Sequence, residues 1–462
     1  MKLSPFFLQA LSRSGVQALP AAKRFVFGDQ IAAELISTSS SVETLELEDL
    51  EIRFANSALV SFSLHARAKP LVRFDFTNEW NNLGYGRVGL KRPWGLSVGA
   101  VLIRGEKVAS VHDRRTGEIV CDYIVRFTHE GVETLWINRD VGPVDGYDWS
   151  IVERFLAEPS AGQANVLPLL DEIPYGFDGA YTMRIDCDEA IASGRRLFEL
   201  YKSFASPFSI AVKTQQPIGE ADIAFMSDLI EAGGSVVGHS HTHAPNWGGG
   251  GAATVREVEE SRRVLRETGV VGINFDYMVS PFHQNSVEAV QGLRDAGVKG
   301  FVSGIICNDP EFLMARSGQV PLVDGIISHS QQCMFHGDTV HVDPTLSVYF
   351  RAFRQALETR TFFGFLDHPF SNYQYGWSSE VERLEAHARF LDVLTKTPNL
   401  WRANLVDAMK FLDLRSKARI RREGDQWVAS LPKFEGSENL PSVAVRYGTQ
   451  SIKLTPGEEV KF

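Results

Sequence analysis

Cysteine is scarce in this chain, with four residues among 462, and no two of them form a C-x-x-C pair. Four cysteines are too few to build a disulfide scaffold. We therefore expect reduced thiols and a cytoplasmic protein. Long apolar runs are missing too: no window approaches the roughly 18 apolar residues of a transmembrane helix. The start, MKLSPFFLQALSRSG, is interrupted too early for a secretory signal, so we expect a short amphipathic helix there.

Positive charge is also in short supply. Lys and Arg number 47 against 57 Asp and Glu, which leaves a formal net charge of −10. A nucleic-acid partner needs a basic surface to neutralise phosphates, so this class of function is excluded. The hydrophobic fraction of 44% with 23% charged residues is typical of globular proteins and excludes wholesale disorder.

The texture of the sequence predicts three regions and an α/β fold class. Residues 1–160 carry short β-like runs such as LVRFDF and ETLWIN between turn signals, which predicts an N-terminal β-rich, sandwich-like domain. In residues 165–417 strand and helix patterns alternate six or seven times, which predicts a distorted (β/α) barrel. Residues 418–462 return to β-like runs and are expected to form a small C-terminal β appendage.

Histidine is unevenly distributed, because eight of the twelve lie in residues 239–368. His239, His241 and His243 follow the apolar run SVVG, where the end of a barrel strand would place an active site. The surrounding glycines and proline argue against a helix, so a turn must bring the first and third imidazoles together. Imidazoles suit Zn, Co, Ni or Fe, so a divalent metal site is predicted, and a polar loop is the alternative.

Two carboxylates stand at the end of the run AYTMRIDCD. Arg184, Asp186 and Asp188 share one face of this predicted strand, because side chains alternate. Neighbouring carboxylates repel unless a cation or proton lies between them, so one can bind a metal while the other acts as a base. Capping of the following helix is an alternative for Asp188, but it does not explain Asp186.

These motifs resemble those of polysaccharide deacetylases with the NodB homology domain, carbohydrate esterase family 4. The resemblance covers about residues 165–415 in the family's motif order, and it leaves both β regions outside. His239-Ser240-His241-Thr242-His243 matches the H-[ST]-x-x-H motif, whose outer histidines bind metal in the family. The resemblance therefore implies that Asp186 is the catalytic base, that Asp188, His239 and His243 bind the metal, and that His241 lies beside the ligands or towards the substrate.

The third family motif, R-x-P-Y, is matched only in part by Val279-Ser280-Pro281-Phe282. Val279 stands where the family has an arginine that orients the base. Arg184 faces the same way as Asp186 and is the predicted replacement, with His283 as the next candidate. The backbone N–H of Phe282 is expected to hold the oxyanion.

The last family motif, an apolar strand that ends in histidine, resembles FFGFLDH, which ends at His368. The resemblance implies that this histidine protonates the leaving amine, and a packed histidine is the alternative. Aromatic side chains near these motifs are predicted to form a substrate wall, because sugar rings stack on such groups, whereas core packing is the alternative. The candidate substrate-binding residues are Arg184, His241, Trp247, His283, Tyr373, Tyr375 and Trp377.

A further D-x-x-D-W motif, Asp145 to Trp149, lies before the predicted core and out of order, so we interpret it as a surface turn. The sequence as a whole predicts a metal-dependent hydrolase that removes an N-acetyl or other N-acyl group from a carbohydrate. Zinc is the expected metal. The resemblance implies bacterial surface-polysaccharide or O-antigen biosynthesis, with a nucleotide-linked or lipid-linked sugar as substrate. The alternatives are an amidohydrolase acting on a non-sugar amide and a catalytically impaired carbohydrate-binding protein, suggested by the missing arginine.

Overall fold

The structure is a computed structural model, and it describes residues 11, 13–16, 23–27, 35–39, 49–62, 67–71, 80–81, 86–87, 101–139, 141, 146–159, 166–304, 316–320, 323–331, 333–371 and 375–462. None of the helices in these ranges combines the length and the apolar character that a bilayer crossing requires. The three cysteines that the structure describes, Cys121, Cys187 and Cys333, are buried free thiols.

The N-terminal strands form a mainly antiparallel sheet of six strands in the order β1-β10-β9-β8-β3-β4, in which only β1 and β10 pair in parallel. A second, two-stranded sheet joins β2 and β7, and β5 pairs with β6. Two helices, Asn56–Ser61 and Gly146–Ala157, accompany these sheets. The strands are β1 (Lys23–Phe27), β2 (Ile36–Ser39), β3 (Leu50–Phe54), β4 (Ala68–Pro70), β5 (Trp80–Asn81), β6 (Gly86–Arg87), β7 (Val101–Ile103), β8 (Glu106–Asp113), β9 (Ile119–His129) and β10 (Val132–Ile137).

The interpretation of the D-x-x-D-W motif as a surface turn is wrong for its second half. Asp148 and Trp149 lie in the helix Gly146–Ala157, and both are fully buried. Asp148 pairs with the buried cations Lys69 and Arg139, and the phenol of Tyr123 donates to its second oxygen at 2.7 Å. A buried carboxylate needs such partners, so this one has a structural role.

Residues 179–402 contain a second, ten-stranded sheet in the order β17-β18-β16-β15-β14-β13-β12-β20-β19, with β21 also paired to β12. All its pairings are parallel except that of β17 with β18. The strands are β12 (Gly179–Cys187), β13 (Ser209–Val212), β14 (Ser235–Gly238), β15 (Tyr277–Val279), β16 (Gly300–Gly304), β17 (Gly318–Gln319), β18 (Ile327–Gln331), β19 (Cys333–Met334), β20 (Phe363–Asp367) and β21 (Leu400–Arg402); β11 (Leu169–Leu170) precedes them.

Helices connect these parallel strands, as the alternating pattern predicted. They are Arg195–Ser203, Glu220–Glu231, Asn246–Gly249, Ala252–Glu267, Val287–Asp295, Gly337–Val342, Ser347–Thr359, Glu380–Lys396 and Leu405–Ser416. The mixed α/β class is thereby confirmed. The sheet is curled so far that a Cβ on Gly364 of β20 would lie 3.2 Å from the Cα of Gln331 in β18. Since no ladder joins these two strands in the described residues, the structure shows no closed barrel.

The C-terminal strands form two further small sheets. In one, β22 (Arg419–Glu423), β23 (Gln426–Ser430) and β26 (Glu459–Lys461) are antiparallel. In the other, β24 (Val443–Tyr447) pairs with both β25 (Gln450–Leu454) and β11. Strand β24 thus joins the C-terminal region to residues inside the predicted region 165–417, and the boundaries at 160, 165 and 417 stay a prediction.

Strand β12 shows how the core sheet presents polar groups to its interior. All nine residues are buried, and Tyr181, Met183 and Ile185 pack into the main hydrophobic core. Burying each such side chain stabilises the fold by ~1.5–3 kcal/mol, which anchors this face of the strand. The alternating positions, including Arg184 and Asp186, must then face the concave side of the sheet. The apolar half of the pattern thus determines where the polar half points.

Candidate active site

Four strands of the core sheet end at one place, and each end carries one of the predicted site residues. Asp188 directly follows β12, His239 follows β14, and His368 follows β20. Phe282 lies in a single 3₁₀ turn, Pro281–His283, just after β15. Because the strands are parallel and in register, their carboxyl ends lie at the same edge of the sheet, as expected for an α/β active site.

Asp188, His239 and His243 bring three donor atoms to one point. Oδ1 of Asp188 lies 3.5 Å from Nε2 of His239 and 3.4 Å from Nε2 of His243. The two Nε2 atoms are 3.0 Å apart. Ligands around a tetrahedral zinc ion at about 2.0–2.1 Å would be separated by about 3.3 Å, so the three atoms have the spacing of one face of such a site. Within the described residues this is the one group of three or more donors that could hold an ion.

Hydrogen bonds around His239 and His243 determine which of their ring nitrogens can bind an ion. Nδ1 of His239 lies 3.1 Å from the carbonyl of Val279, which can only accept a hydrogen bond. Nδ1 therefore carries the proton, and the lone pair of Nε2 can bind a metal. His243 adopts a left-handed backbone with φ of 61°, and its N–H donates to Oγ of Ser240 at 3.0 Å. The carboxylate of Glu257 accepts hydrogen bonds from the backbone N–H groups of His241 and Thr242 at 2.9 and 2.8 Å. A turn and not a helix therefore brings the histidines together.

The chemistry of these donors fits a cation. Oδ1 of Asp188 is buried and accepts no hydrogen bond from any described residue. Burial and the neighbouring His239 lower the pKa of His243 to about 2, so this imidazole is neutral and offers a lone pair. A carboxylate oxygen and two ring nitrogens that face one another at 3.0–3.5 Å are stabilised by a positive ion between them.

Asp186 lies beside this group and is held by Arg184. The guanidinium forms a two-pronged contact, from Nε to Oδ1 at 2.6 Å and from Nη2 to Oδ2 at 2.9 Å, and both side chains are buried. Burial opposes ionisation of Asp186, but the charge of Arg184 outweighs it and holds the pKa of the carboxyl well below its usual range. Oδ2 also lies 3.9 Å from Nε2 of His239. The contact between Arg184 and Asp186 that strand alternation predicted is present, while Val279 is a buried apolar residue.

His368 forms the opposite side of the site. Its Nε2 is 3.9 Å from Oδ2 of Asp188, and its ring stacks on Tyr375 with centroids 3.8 Å apart and planes 8° from parallel. Burial lowers the pKa of His368. Its Nδ1 is buried and has no hydrogen-bond partner in the described residues.

Phe282 is the exposed aromatic residue at the mouth. Its side chain is 48% exposed, and its ring centroid lies 4.5 Å from that of His243. Phe282 and His283 both have left-handed backbones, with φ of 52° and 57°. Such a conformation costs roughly 1–2 kcal/mol per residue, so the surrounding structure must impose it.

The predicted substrate wall needs correction at two tryptophans. Trp247 is completely buried and donates its indole N–H to Asn285 at 3.0 Å, and Trp377 is only 5% exposed. Neither ring has an exposed face on which a sugar could stack, because both rings are packed in the protein interior. Tyr375 is half-buried beside His368, and Tyr373 lies outside the described residues.

Two further candidates from the sequence lie close to the site. His241 is half-buried, and its Nδ1 lies 3.1 Å from the hydroxyl of Thr214. His283 is buried, and burial together with the charge of Arg184 lowers its pKa to about 3. Asp188 does not cap the helical segment that follows, because the 3₁₀ turn begins at Ile191 with Ala190 at its cap position, and the α-helix after it is capped by Gly194.

Sequence reasoning missed a buried group that supports His368. Asp367 accepts from Nε of Arg383 at 2.6 Å, from Nε2 of His387 at 2.9 Å and from the backbone N–H of His368 at 2.8 Å. Arg383 also donates to the carbonyl of His368. Arg383 and His387 are four residues apart and therefore share one face of their helix, but this spacing alone does not indicate that Asp367 is their partner.

No family model matches this chain, and no curated protein matches it. Solved structures do show similarity. Agd3, described as a novel carbohydrate deacetylase, is 8% identical, with a TM-score of 0.42, over 95% of this chain and 84% of its own. A carbohydrate esterase family 4 domain of a multidomain xylanase from the hindgut metagenome of Trinervitermes trinervoides is 10% identical, with a TM-score of 0.33, over 50% of this chain and 90% of its own. A family 4 carbohydrate esterase from Streptomyces lividans is 14% identical, with a TM-score of 0.31, over 50% of this chain and 92% of its own.

These neighbours are carbohydrate deacetylases and members of carbohydrate esterase family 4, the family that the motifs resemble. The likeness is one of fold. At such low identities and TM-scores, no activity is carried over from them to this chain.

Proposed function

We propose that this chain is a metal-dependent hydrolase that removes an N-acetyl or other N-acyl group from a carbohydrate. One observation carries the proposal. Three donor atoms of Asp188, His239 and His243 converge between the Asp186 carboxylate, which is paired with buried Arg184, and the imidazole of His368, which is 11% exposed. Metal ligands, a base and an acid are the parts that amide hydrolysis needs.

The three ligands would hold one divalent ion, with zinc as the expected metal and cobalt, nickel or iron as alternatives. When bound, such an ion polarises an acyl oxygen and lowers the pKa of water. Asp186 takes the proton of the attacking water, since Arg184 keeps its carboxylate ionised and its Oδ2 borders the ligand His239.

In its protonated form, His368 gives a proton to the departing amine through Nε2, the ring nitrogen nearest to Asp188, and its lowered pKa makes the protonated ring the stronger acid. Protonation of the leaving nitrogen is the step on which amide hydrolysis depends most, because an unprotonated amine is a poor leaving group. The backbone N–H of Phe282 contributes to holding the negative charge that develops on the acyl oxygen. The exposed ring of Phe282 offers an apolar face on which a sugar can stack.

The presence of Arg184 beside Asp186 weighs against an impaired binding protein, because the charge missing at Val279 is supplied from β12. We propose further that the enzyme works in the cytoplasm on a nucleotide-linked or lipid-linked sugar in bacterial surface-polysaccharide or O-antigen biosynthesis. The motif resemblance supports this context.

The test combines metal analysis with acetate release from N-acetyl sugars. We expect about one divalent ion per chain, lost in His239→Ala and in His243→Ala and retained in the matched variant His241→Ala. Acetate should be released from an N-acetyl sugar and not from a non-sugar N-acetyl amide. Equal loss of metal in all three variants would contradict the ligand assignment. Bound metal with activity only on the non-sugar amide would instead favour the other class of amidohydrolase.

A further inference from the structure

Tyr375 connects two parts of the site that sequence reasoning treated separately. Its ring lies flat against His368, with centroids 3.8 Å apart and an interplanar angle of 8°. Its hydroxyl lies 3.5 Å from Oδ2 of Asp188, the oxygen that faces away from the two metal-ligating histidines. One side chain therefore contacts both the proposed acid and a proposed metal ligand.

The stacking matters because little else fixes the rotation of the imidazole. Nδ1 of His368 is buried and has no hydrogen-bond partner in the described residues. The Asp367 and Arg383 contacts hold only the backbone of His368. The plane of the ring is consequently determined by packing, and the parallel ring of Tyr375 is the flat surface in contact with it.

The hydroxyl matters because a carboxylate rotates readily about its last bond. Oδ1 of Asp188 must point at the two imidazoles if the three donors are to share an ion. A donor at Oδ2 favours that rotamer, and a phenol is protonated at neutral pH and can donate. Hydrogen-bond partners of metal ligands commonly change metal affinity by about 10–100-fold.

The backbone of Tyr375 is built to hold this position. Tyr375 and Gly376 are both left-handed, with φ of 63° and 67°. The N–H of Gly337 donates to the carbonyl of Tyr375 at 2.7 Å, and a Cβ on Gly337 would overlap the carbonyl of Gly376. The segment that carries Tyr375 is thus packed backbone against backbone on the residues that follow β19.

We propose that Tyr375 is a positioning residue with two separable effects: its ring orients His368, and its hydroxyl orients Asp188 for metal binding. The first effect rests on the proposed hydrolysis, while the second rests only on the proposed metal site. This replaces the sequence-based assignment of Tyr375 to the substrate wall, because one face of its ring is covered by His368.

Two substitutions separate the effects. Tyr375→Phe keeps the ring and removes the hydroxyl, so the Zn²⁺ dissociation constant, measured by competition with a chromophoric chelator, should rise about tenfold. The value of kcat at saturating Zn²⁺ should change by less than about threefold, because the ring still orients His368. Tyr375→Leu should show the same loss of affinity and, in addition, a fall in kcat of about tenfold or more at nearly constant KM.

Tyr349→Phe is the matched control. Tyr349 is a buried tyrosine whose hydroxyl donates to the carbonyl of Met334 at 3.0 Å, so its removal deletes a comparable hydrogen bond. Its Zn²⁺ affinity should equal that of the wild type. If Tyr375→Leu does not fold, Tyr375→Met takes its place.

An unchanged Zn²⁺ affinity in Tyr375→Phe would overturn the effect on Asp188. A raised KM with unchanged kcat in Tyr375→Leu would overturn the effect on His368 and return Tyr375 to the substrate wall. If the wild type hydrolyses no N-acyl sugar, the proposed function fails but this proposal is still tested. In that case, the NMR signals of the His368 ring, assigned with His368→Gln, should broaden or split in Tyr375→Leu. Unaltered signals would overturn it.

Discussion

Glu153 and Asp188 are both carboxylates held by cationic or aromatic neighbours, yet their surroundings differ. Oε1 of Glu153 accepts from Ser14 at 2.6 Å, from the indole of Trp149 at 3.1 Å and from Nε of Arg316 at 3.1 Å. Oε2 accepts from Arg316 at 2.6 Å and from Arg446 at 3.2 Å. Every acceptor position of this buried group is used.

Asp188 has the opposite environment. Among the described residues none donates a hydrogen bond to its buried Oδ1, and its Oδ2 has the long contact from Tyr375 and lies 3.9 Å from Nε2 of His368. A buried oxygen with no donor costs roughly 1–3 kcal/mol, so folding alone would not favour this arrangement. A buried carboxylate whose oxygens all accept hydrogen bonds therefore indicates a structural role, whereas an unsatisfied one that faces other metal-donor atoms indicates a ligand.

The largest effect is expected at the saturated carboxylate. Glu153→Gln removes the nearer of the two carboxylates that pair with buried Arg316, the other being Glu172, and should lower the free energy of unfolding by about 3–5 kcal/mol. The metal bound per folded chain should not change, because the partners of Glu153 are Ser14, Trp149, Arg316 and Arg446 and include none of the three ligands. Denaturant titration measures the first quantity and metal analysis the second. The exposed Glu435→Gln is the control, and a loss of metal in Glu153→Gln would break the comparison.

At the site, the two aspartates should separate chemistry from binding. Asp186→Asn should retain the ion but slow hydrolysis by at least about a hundredfold, the scale of a general base. Asp188→Asn should lose the ion, and it should leave the metal-free protein at least as stable as the wild type, since no described residue donates a hydrogen bond to Oδ1. Metal content, kcat and unfolding are measured for both. Exchanged phenotypes would show that the order of base and ligand is wrong.

Much of this site could be predicted from sequence, because parallel strands bring their ends to one edge and alternation places Arg184 beside Asp186. The features of the site that the sequence did not indicate depend on tertiary packing. Trp247 and Trp377 looked like candidates for sugar binding, but burial of large rings outweighed their proximity to the motifs. The support of His368 by Arg383 and His387 requires a helix docked on β20, and no local pattern specifies that docking.

The fold could be predicted from the sequence about as completely as the site. The repeated strand and helix patterns gave the parallel sheet, since apolar runs of four or five residues separated by amphipathic helices allow few other solutions. Closure of the sheet depends on long-range curvature and was not predictable. The burial of Asp148 was also missed, because its partners Lys69 and Arg139 are distant in sequence or on another element.

A pH dependence follows from the saturated carboxylate. Burial opposes ionisation of Glu153, but the charges of Arg316 and Arg446 outweigh it and lower its pKa from 4.5 to about 2. A lowered folded-state pKa gives stability that is present above the unfolded value and lost as the pH falls from about 4.5 towards 2. The loss should approach about 1.4 kcal/mol per pH unit in that window. The difference in unfolding free energy between the wild type and Glu153→Gln should therefore shrink below pH 4.5, and a constant difference would contradict it.

The smallest expected effects come from replacing arginine by lysine in each region. In Arg184→Lys the positive charge remains near Asp186, but the two-pronged contact with both carboxylate oxygens is lost. We expect kcat to fall about tenfold with unchanged Zn²⁺ affinity, because the base is less well oriented while the ligands are untouched. In Arg316→Lys the lost contacts are those to Glu153 and to the carbonyls of Thr359 and Arg360. Unfolding should then become easier by about 1–2 kcal/mol, with kcat per folded chain unchanged. If Arg184→Lys lowered stability but not kcat, the pair with Asp186 would be structural like that of Glu153, and the base would have to be sought elsewhere in the site.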